Sequence, residues 1–383
     1  MKYYLAGGAV RNLLLGEEPA DHDYAFSGSE DEFIALNPGA RKLGDGPAYL
    51  LNGSEYSPLQ GGSLAEDLYA RDFTVNCFLM ESNGVVHMHP RSLDDLRGRV
   101  LTPAAPSSLA DDPLRVFRAA RFCAVFPDFT PTEECLEQMR ETAGLEAFRD
   151  IAAERVGREC MKALMGSRPG NFLRLLGRTE ALDYWFKELA GADSIPAGPV
   201  EFHKTDVLEH IAQVMDKTEL EFETWKAAVN NTGKNTRELR LLAVWMSLCH
   251  DLGKTDTPED ILPHHYQHEV RGMRGASNLA RRLRLAERLR KAGILAAKLH
   301  MKAGIYPGLR PATRVDLLME AHSARLLTPL FLLAQADSGN NTLLAMAARD
   351  LQLVLGVRLP LKWQNRGKDS GKILRELRCQ KLA

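Results

Sequence analysis

The chain has 383 residues, 45% apolar and 26% charged, with a formal net charge of -1. That length exceeds the roughly 250 to 300 residues that one core usually organises, so two or more domains are expected, and the apolar share excludes wholesale disorder. No apolar run reaches the roughly 18 residues of a membrane span and Arg11 interrupts the opening run, so a cytoplasmic protein with no membrane partner is expected, while basic stretches at 271–290 and from Arg358 to Lys381 leave nucleic acid open.

Taken in chain order, "YYLAGGAVRNLLLG" reads as an apolar strand, the pair Gly7 and Gly8, and a helix. Glycines there let backbone amides approach a phosphate closely, and a helix N-terminus adds a favourable dipole. A plain tight turn would look the same, so the next element matters. In "ADHDYAF" the aspartates Asp21 and Asp23 stand at i and i+2 of an expected strand, which puts both carboxylates on one face. Two like charges that close repel unless a cation lies between them. Mg²⁺ is commonly held by one or two carboxylates together with substrate phosphates. The glycine pair and the aspartate pair together point to a nucleoside triphosphate site.

Up to about residue 100, short apolar runs alternate with glycine and proline punctuation, which predicts strands mixed with a few helices. From about 107 onward, apolar residues recur at three and four, and nearly all helix is expected. The fold class is therefore α+β. In "DDPLRVFRAARF" the spacing of Asp112 and Arg115 predicts one helix face, where a carboxylate beside a guanidinium offers an acceptor and donors to a base edge. Arg118 and Arg121 extend that basic face. Breaks are expected at 125–134, 189–202 and 256–265, where proline and glycine cluster. Six cysteines form no CxxC pair and read as reduced packing residues.

Further along, His250 and Asp251 in "CHDLGK" supply a borderline and a hard donor side by side. Adjacent His and Asp at a helix end can both reach one divalent ion and leave positions for water. Lys254 follows in the same motif and carries the charge that would neutralise a phosphate.

The motifs "GGAVRN…ADHDYAF", "EDLYARDFTVN" and "DDPLRVFRAARF", in this order, resemble the class II tRNA nucleotidyltransferases, the CCA-adding enzymes related to bacterial poly(A) polymerases. The resemblance implies a polymerase-β-like head with a mixed sheet over 1–125, a helical neck over 126–195, an HD body over 196–340 and a basic helical tail over 341–383. It implies Mg²⁺ on Asp21 and Asp23, nucleotide contacts from Gly7, Gly8, Arg11, Arg71, Asp72 and Asn76, and base selection by Asp112 and Arg115, with Asp111, Arg118 and Arg121 beside them. The implied partners are tRNA, CTP and ATP.

The chain departs from the family pattern at Asn12, Ala70, Asp111 and His89. The stretch from the aspartates to Arg71 is also about twenty residues shorter than in full CCA-adding relatives, at the place of their flexible loop. Members that add only two cytidines lack that loop. CC addition is therefore expected, with a separate enzyme adding the terminal adenosine and full CCA addition as the alternative. The helical half resembles the HD phosphohydrolase domain of some family members, which implies a divalent transition metal or Mg²⁺ on His210, His250, Asp251 and Asp337. His264, His265, His268 and His300 are further candidates. A sole HD phosphohydrolase with a degenerate head is the rival reading.

Overall fold

The computed structural model describes residues 1–19, 21–44, 46–201, 204–229 and 235–383. Two compact units result, one of 1–119 with 128–151, the other of 120–127 with 152–383.

In the first unit, β1 (Tyr3–Ala6) runs through Gly7 into α1 (Gly8–Leu14), and Gly7 adopts a φ of 63° that suits a residue without Cβ. There follow β2 (Asp23–Phe26), α2 (Glu30–Leu36), β3 (Arg41–Lys42), β4 (Tyr49–Leu51), β5 (Ser54–Pro58), α3 (Leu64–Ala70), β6 (Phe78–Met80) and β7 (Val86–Met88). The seven strands form one mixed sheet in the order β3-β4-β5-β2-β1-β6-β7, with β2 parallel to β5 and antiparallel to β1. Because successive strand residues face opposite sides, Ala25 joins a core with Tyr4, Leu68 and Leu79 on one face of the sheet. Phe26 joins Phe33 and Tyr49 on the other. The Phe26 and Phe33 rings stack at 4.3 Å between centroids, each fully buried, and each such side chain contributes about 2 kcal/mol by leaving water. Ser63 caps α3, accepting the Glu66 N–H at 3.2 Å and donating its hydroxyl to the Glu66 carboxylate at 2.6 Å. This cap fixes the helix that delivers Arg71 and Asp72.

The unit is completed by α4 (Ser92–Gly98), β8 (Val100–Leu101), α5 (Ser108–Asp111), the start of α6 (Arg115–Val125), β9 (Thr130–Pro131), α7 (Glu133–Gly144) and α8 (Glu146–Arg149). β8 pairs in parallel with β9, which falls in the break expected at 125–134. Two-residue strands carry no periodicity that a sequence pattern could reveal.

The second unit is helical: α9 (Ala153–Ala163), α10 (Gly170–Arg178), α11 (Val207–Ala228), α12 (Thr236–Cys249), α13 (His268–Arg282), α14 (Glu287–Gly304), α15 (Pro311–Ser323), α16 (Leu327–Ser338), α17 (Leu343–Gly356) and α18 (Lys368–Leu382). Helices α11, α12, α14 and α16 pack together, and the buried Trp245 of α12 donates its indole N–H to the Leu289 carbonyl of α14 at 2.7 Å. All six cysteines are free thiols, five of them buried. Among the described residues no helix is long and apolar enough to cross a membrane.

Candidate functional sites

In the head, strand pairing begins at Asp23, which is in register with Glu55 on β5, while Asp21 lies in the bend before the strand. The two aspartates are both exposed but are not both strand residues, since β1 pairs with β2 only as far back as Tyr24 and the β5 ladder ends at Asp23. Residues in parallel register share a face, so Glu55 brings a third carboxylate beside Asp23. Sequence reasoning missed it. Only the strand register, which no local pattern states, could have found it.

The glycine turn packs against an arginine. The Gly7 N–H donates to the Phe78 carbonyl at 2.9 Å, and a Cβ on Gly7 would stand 3.1 Å from Nη1 of Arg71. Gly7 therefore makes room for the Arg71 guanidinium. Arg71 itself donates through Nε and Nη2 to one Asp67 oxygen at 2.9 and 2.7 Å. Gly8 lies against Arg11, whose Nη1 donates to the Asn76 side chain at 2.5 Å. Asn76 passes the network on, donating to Asp72 at 3.0 Å, and Arg118 closes it on the other Asp72 oxygen. Asp72 is 5% exposed. Burial alone would raise its pKa, but the Arg118 charge and the donors from Asn76 and Phe73 hold it well below the usual carboxylate range.

Asp112 and Arg115 do not share a helix face. Pro113 disfavours helix at the residue before it; Asp112 is extended (φ -138°, ψ 95°), and α6 begins at Arg115. The Arg115 guanidinium donates to the carbonyls of Ala70 at 2.6 Å and Arg71 at 3.2 Å, and to Ser108 at 2.9 Å. It thereby buttresses the segment carrying Arg71 and Asp72. Asp111 accepts from Ser107 at 2.9 Å, and Arg121 pairs with Glu159 at 2.5 Å within the helical unit.

In that helical unit a second constellation forms around Asp251, which is 1% exposed. Its Oδ2 lies 3.1 Å from Nε2 of both His210 and His250, and 2.8 Å from Nζ of Lys254. Asp337 approaches His210 at 3.3 Å. The other oxygen, Oδ1, has no hydrogen-bond partner among the described residues and faces Nε2 of His268 at 3.3 Å and of His300 at 3.4 Å. Two sets of donors thus share one carboxylate, His210, His250 and Asp251 on one side and Asp251, His268 and His300 on the other.

The ring partners fix the tautomers. Nδ1 of His250 lies 2.6 Å from the Ser247 carbonyl, Nδ1 of His268 lies 2.8 Å from the His265 carbonyl, and Nδ1 of His300 lies 3.1 Å from that of Ala296. A carbonyl only accepts, so Nδ1 carries the hydrogen and each neutral ring turns an Nε2 lone pair toward Asp251. Lone pairs facing a carboxylate repel unless a cation joins them. At His210 burial works against the charged form, but the Asp251 and Asp337 carboxylates outweigh it and raise the pKa to about 9. The donor set, two or more imidazoles with carboxylate, equally suits a divalent transition metal. His265 is engaged elsewhere, with ring nitrogens 2.8 Å from Thr257 Oγ1 and from the Pro196 carbonyl, and His264 stacks on Tyr266 outside both sets.

The multifunctional CCA protein of Tolumonas auensis is 31% identical over 363 residues, spanning 88% of this chain and 84% of that protein. The chain belongs to the multifunctional CCA protein family. The Pasteurella multocida family member is 32% identical, spanning 78% of this chain and 74% of that protein. Residues 128–192 of this CCA-family chain also match the model for the probable RNA and SrmB-binding site of polymerase A. Among solved structures, a CCA-adding enzyme with ATP superposes with a TM-score of 0.69 at 18% identity, over 100% of this chain and 86% of that one. The Thermotoga maritima CCA-adding enzyme complexed with tRNA_CCA does so at 0.62 and 19%, over 100% and 87%. The α+β architecture of this CCA-family chain is therefore that of the CCA-adding enzymes.

Proposed function

We infer that this chain is a tRNA nucleotidyltransferase, which joins nucleotides from nucleoside triphosphates, CTP first, to the 3' end of tRNA. The tRNA 3'-hydroxyl oxygen attacks the α-phosphorus, the new phosphodiester forms, the bond to the β-phosphate oxygen breaks, and pyrophosphate leaves. The chemistry depends on divalent metal, and we assign Mg²⁺ to Asp21 and Asp23, with Glu55 beside them. Asp21 and Asp23 would hold the ion, which would supply activation of the attacking hydroxyl and neutralisation of the triphosphate. The chain's own part is positioning: Arg71 is held over Gly7 by Asp67, and the Arg11-Asn76-Asp72-Arg118 network fixes the segment that carries it. Kinship with the CCA proteins over most of the chain, with Asp23 and Glu55 side by side on the sheet, is the observation that supports this reading most. The test is release of one pyrophosphate for each nucleotide joined; joining without pyrophosphate would contradict it.

Addition of CC only is the form favoured by the segment between Asp23 and Arg71. Among the described residues it is taken up by β2, α2, β3, β4, β5 and α3, and only 59–63 separate β5 from α3. Among the described residues no long loop remains there to retune the site from cytidine to adenosine.

A second activity is favoured by the Asp251 constellation. We assign to it two divalent metal positions sharing Asp251, one with His210, His250 and Asp337, the other with His268 and His300. Metal there would supply an activated water for hydrolysis of phosphate esters. Lys254, 6% exposed and held by the Ala197 carbonyl at 2.8 Å, would meet the phosphate.

A further inference from the structure

Helix α11 brings His210 alone to the Asp251 constellation, whereas His250 and Asp251 arrive together at the end of α12 and Asp337 comes from α16. The first metal position therefore converges only when α11 stands at the right height and rotation. Ligand distances have to be met to about 0.2 Å. Apolar packing is non-directional, so the burial of α11 against α12 and α16 does not by itself define that placement.

Helix α10 supplies a directional hold. Two glycines bring it close to α11: a Cβ on Gly170 would collide with the Ala212 carbonyl oxygen, and one on Gly177 would stand 2.5 Å from Cδ2 of Leu208. Between these glycines, Arg174 reaches across. Its Nε and Nη2 donate to the two oxygens of Glu209 at 2.8 and 3.0 Å, and its Nη1 donates to Asp216 at 2.7 Å and to Asn171 at 3.0 Å. The other oxygen of the buried Asp216 accepts the N–H of Gly170, the first residue of α10, at 2.8 Å. Residues spaced as Glu209 and Asp216 are lie two turns along one side of a helix, about 10 Å apart. One guanidinium thus holds α11 at two points, and His210 follows directly on the first. A two-point hold resists both sliding and turning.

We propose that Arg174 is a positioning residue for the first metal position: its fork on Glu209 and Asp216 sets the height and rotation of α11 and thereby brings His210 to Asp251 and Asp337. Arg174 itself touches neither metal nor substrate. The proposal rests on the two-metal reading of the Asp251 constellation and adds that the two positions are held separately. The second draws His268 from α13 and His300 from α14, and the hydrogen bonds of Arg174 stay within α10 and α11.

The experiment is calorimetric titration of the full chain with Ni²⁺ in two backgrounds, His300→Ala, which leaves the first position, and His210→Ala, which leaves the second. Arg174→Lys keeps the charge and loses the planar fork, so it cannot hold both carboxylates at once. In the His300→Ala background it is expected to weaken Ni²⁺ binding about tenfold, the low end of what outer partners of metal ligands contribute. In the His210→Ala background the change is expected to stay within about twofold. Glu209→Gln weakens the hold nearest His210 and leaves Asp216 in place; it is expected to show the same selectivity, and it decides the matter should Arg174→Lys fail to fold. A general loosening of the helical unit would weaken both backgrounds alike. That result, or an unchanged affinity in both, overturns the proposal while leaving the two-metal reading intact. Absence of Ni²⁺ binding by the wild type overturns that reading and the proposal with it.

Discussion

Arg118 grips Asp72 with two nitrogens on a single oxygen, Nε at 2.9 Å and Nη2 at 2.5 Å, while the other oxygen accepts from Asn76 and from the Phe73 N–H. Every acceptor direction of this buried carboxylate is therefore turned to the protein, and Asp72 holds the segment behind Arg71 rather than projecting from it. Asp72→Asn is expected to destabilise the head by about 2 kcal/mol, less than for a fully enclosed pair because Arg118 is partly exposed. Denaturant unfolding checks this. Arg118→Lys keeps the charge but loses the planar fork, with an expected loss of about 1 kcal/mol.

The same carboxylate predicts a pH dependence. Its folded pKa is depressed, so its stabilising contribution is complete above the unfolded value, near 4, and is lost as pH falls through the lower folded value. The stability gap between wild type and Asp72→Asn should hold steady from neutrality down to about pH 5 and close on further acidification. A gap that widened with acid would show that another group governs.

Asp21 and Asp23 are both exposed, so their replacement by Asn should leave folding stability within about 0.5 kcal/mol. Nucleotide joining, in contrast, should fall by about a hundredfold or more when charge at the reacting phosphate is lost. Phosphate ester hydrolysis should be unaffected, because the Asp251 constellation belongs to another unit. Paired assays on one preparation check both. Loss of hydrolysis in Asp23→Asn would mean that the two activities share one site.

How much of this was legible beforehand depends on the range of the contacts. Asp23 opening a strand, and His250 with Asp251 at the end of α12, follow from patterns a few residues long. His210 and Asp337 come from distant helices, and only resemblance to a family linked them. The pairing of Arg118 with Asp72 spans 46 residues, and Glu55 reaches Asp23 only through the parallel register of β2 and β5. Neither leaves a local trace. The Asp112–Arg115 expectation failed because helical spacing was counted across Pro113, which α6 excludes from its first turn.

Gly253, within "CHDLGK", is one of the places where the helical unit tolerates no side chain. A Cβ there would collide with the His268 carbonyl oxygen and stand 2.5 Å from the Gly272 nitrogen, both backbone atoms that cannot swing away. Gly253→Ala is expected to cost about 3 kcal/mol by overpacking, and to part His268 from Asp251. Thermal unfolding and metal titration together check it.

Two metal positions sharing Asp251 predict a stoichiometry. Calorimetric titration of the wild type with Ni²⁺ should give two ions per chain. His300→Ala should give one, and Asp251→Asn should weaken both. Two ions retained in His300→Ala would rule out the second position.

The most direct measurement of the central claim is extension of a tRNA transcript ending at the discriminator base, resolved to single nucleotides, with CTP alone, ATP alone, or both. The account predicts growth by two nucleotides with CTP, no growth with ATP alone, and no third nucleotide when both are present. Growth by three with both would replace CC addition by full CCA addition. No growth under any mixture, from protein that binds tRNA and Mg²⁺, would contradict nucleotidyl transfer itself.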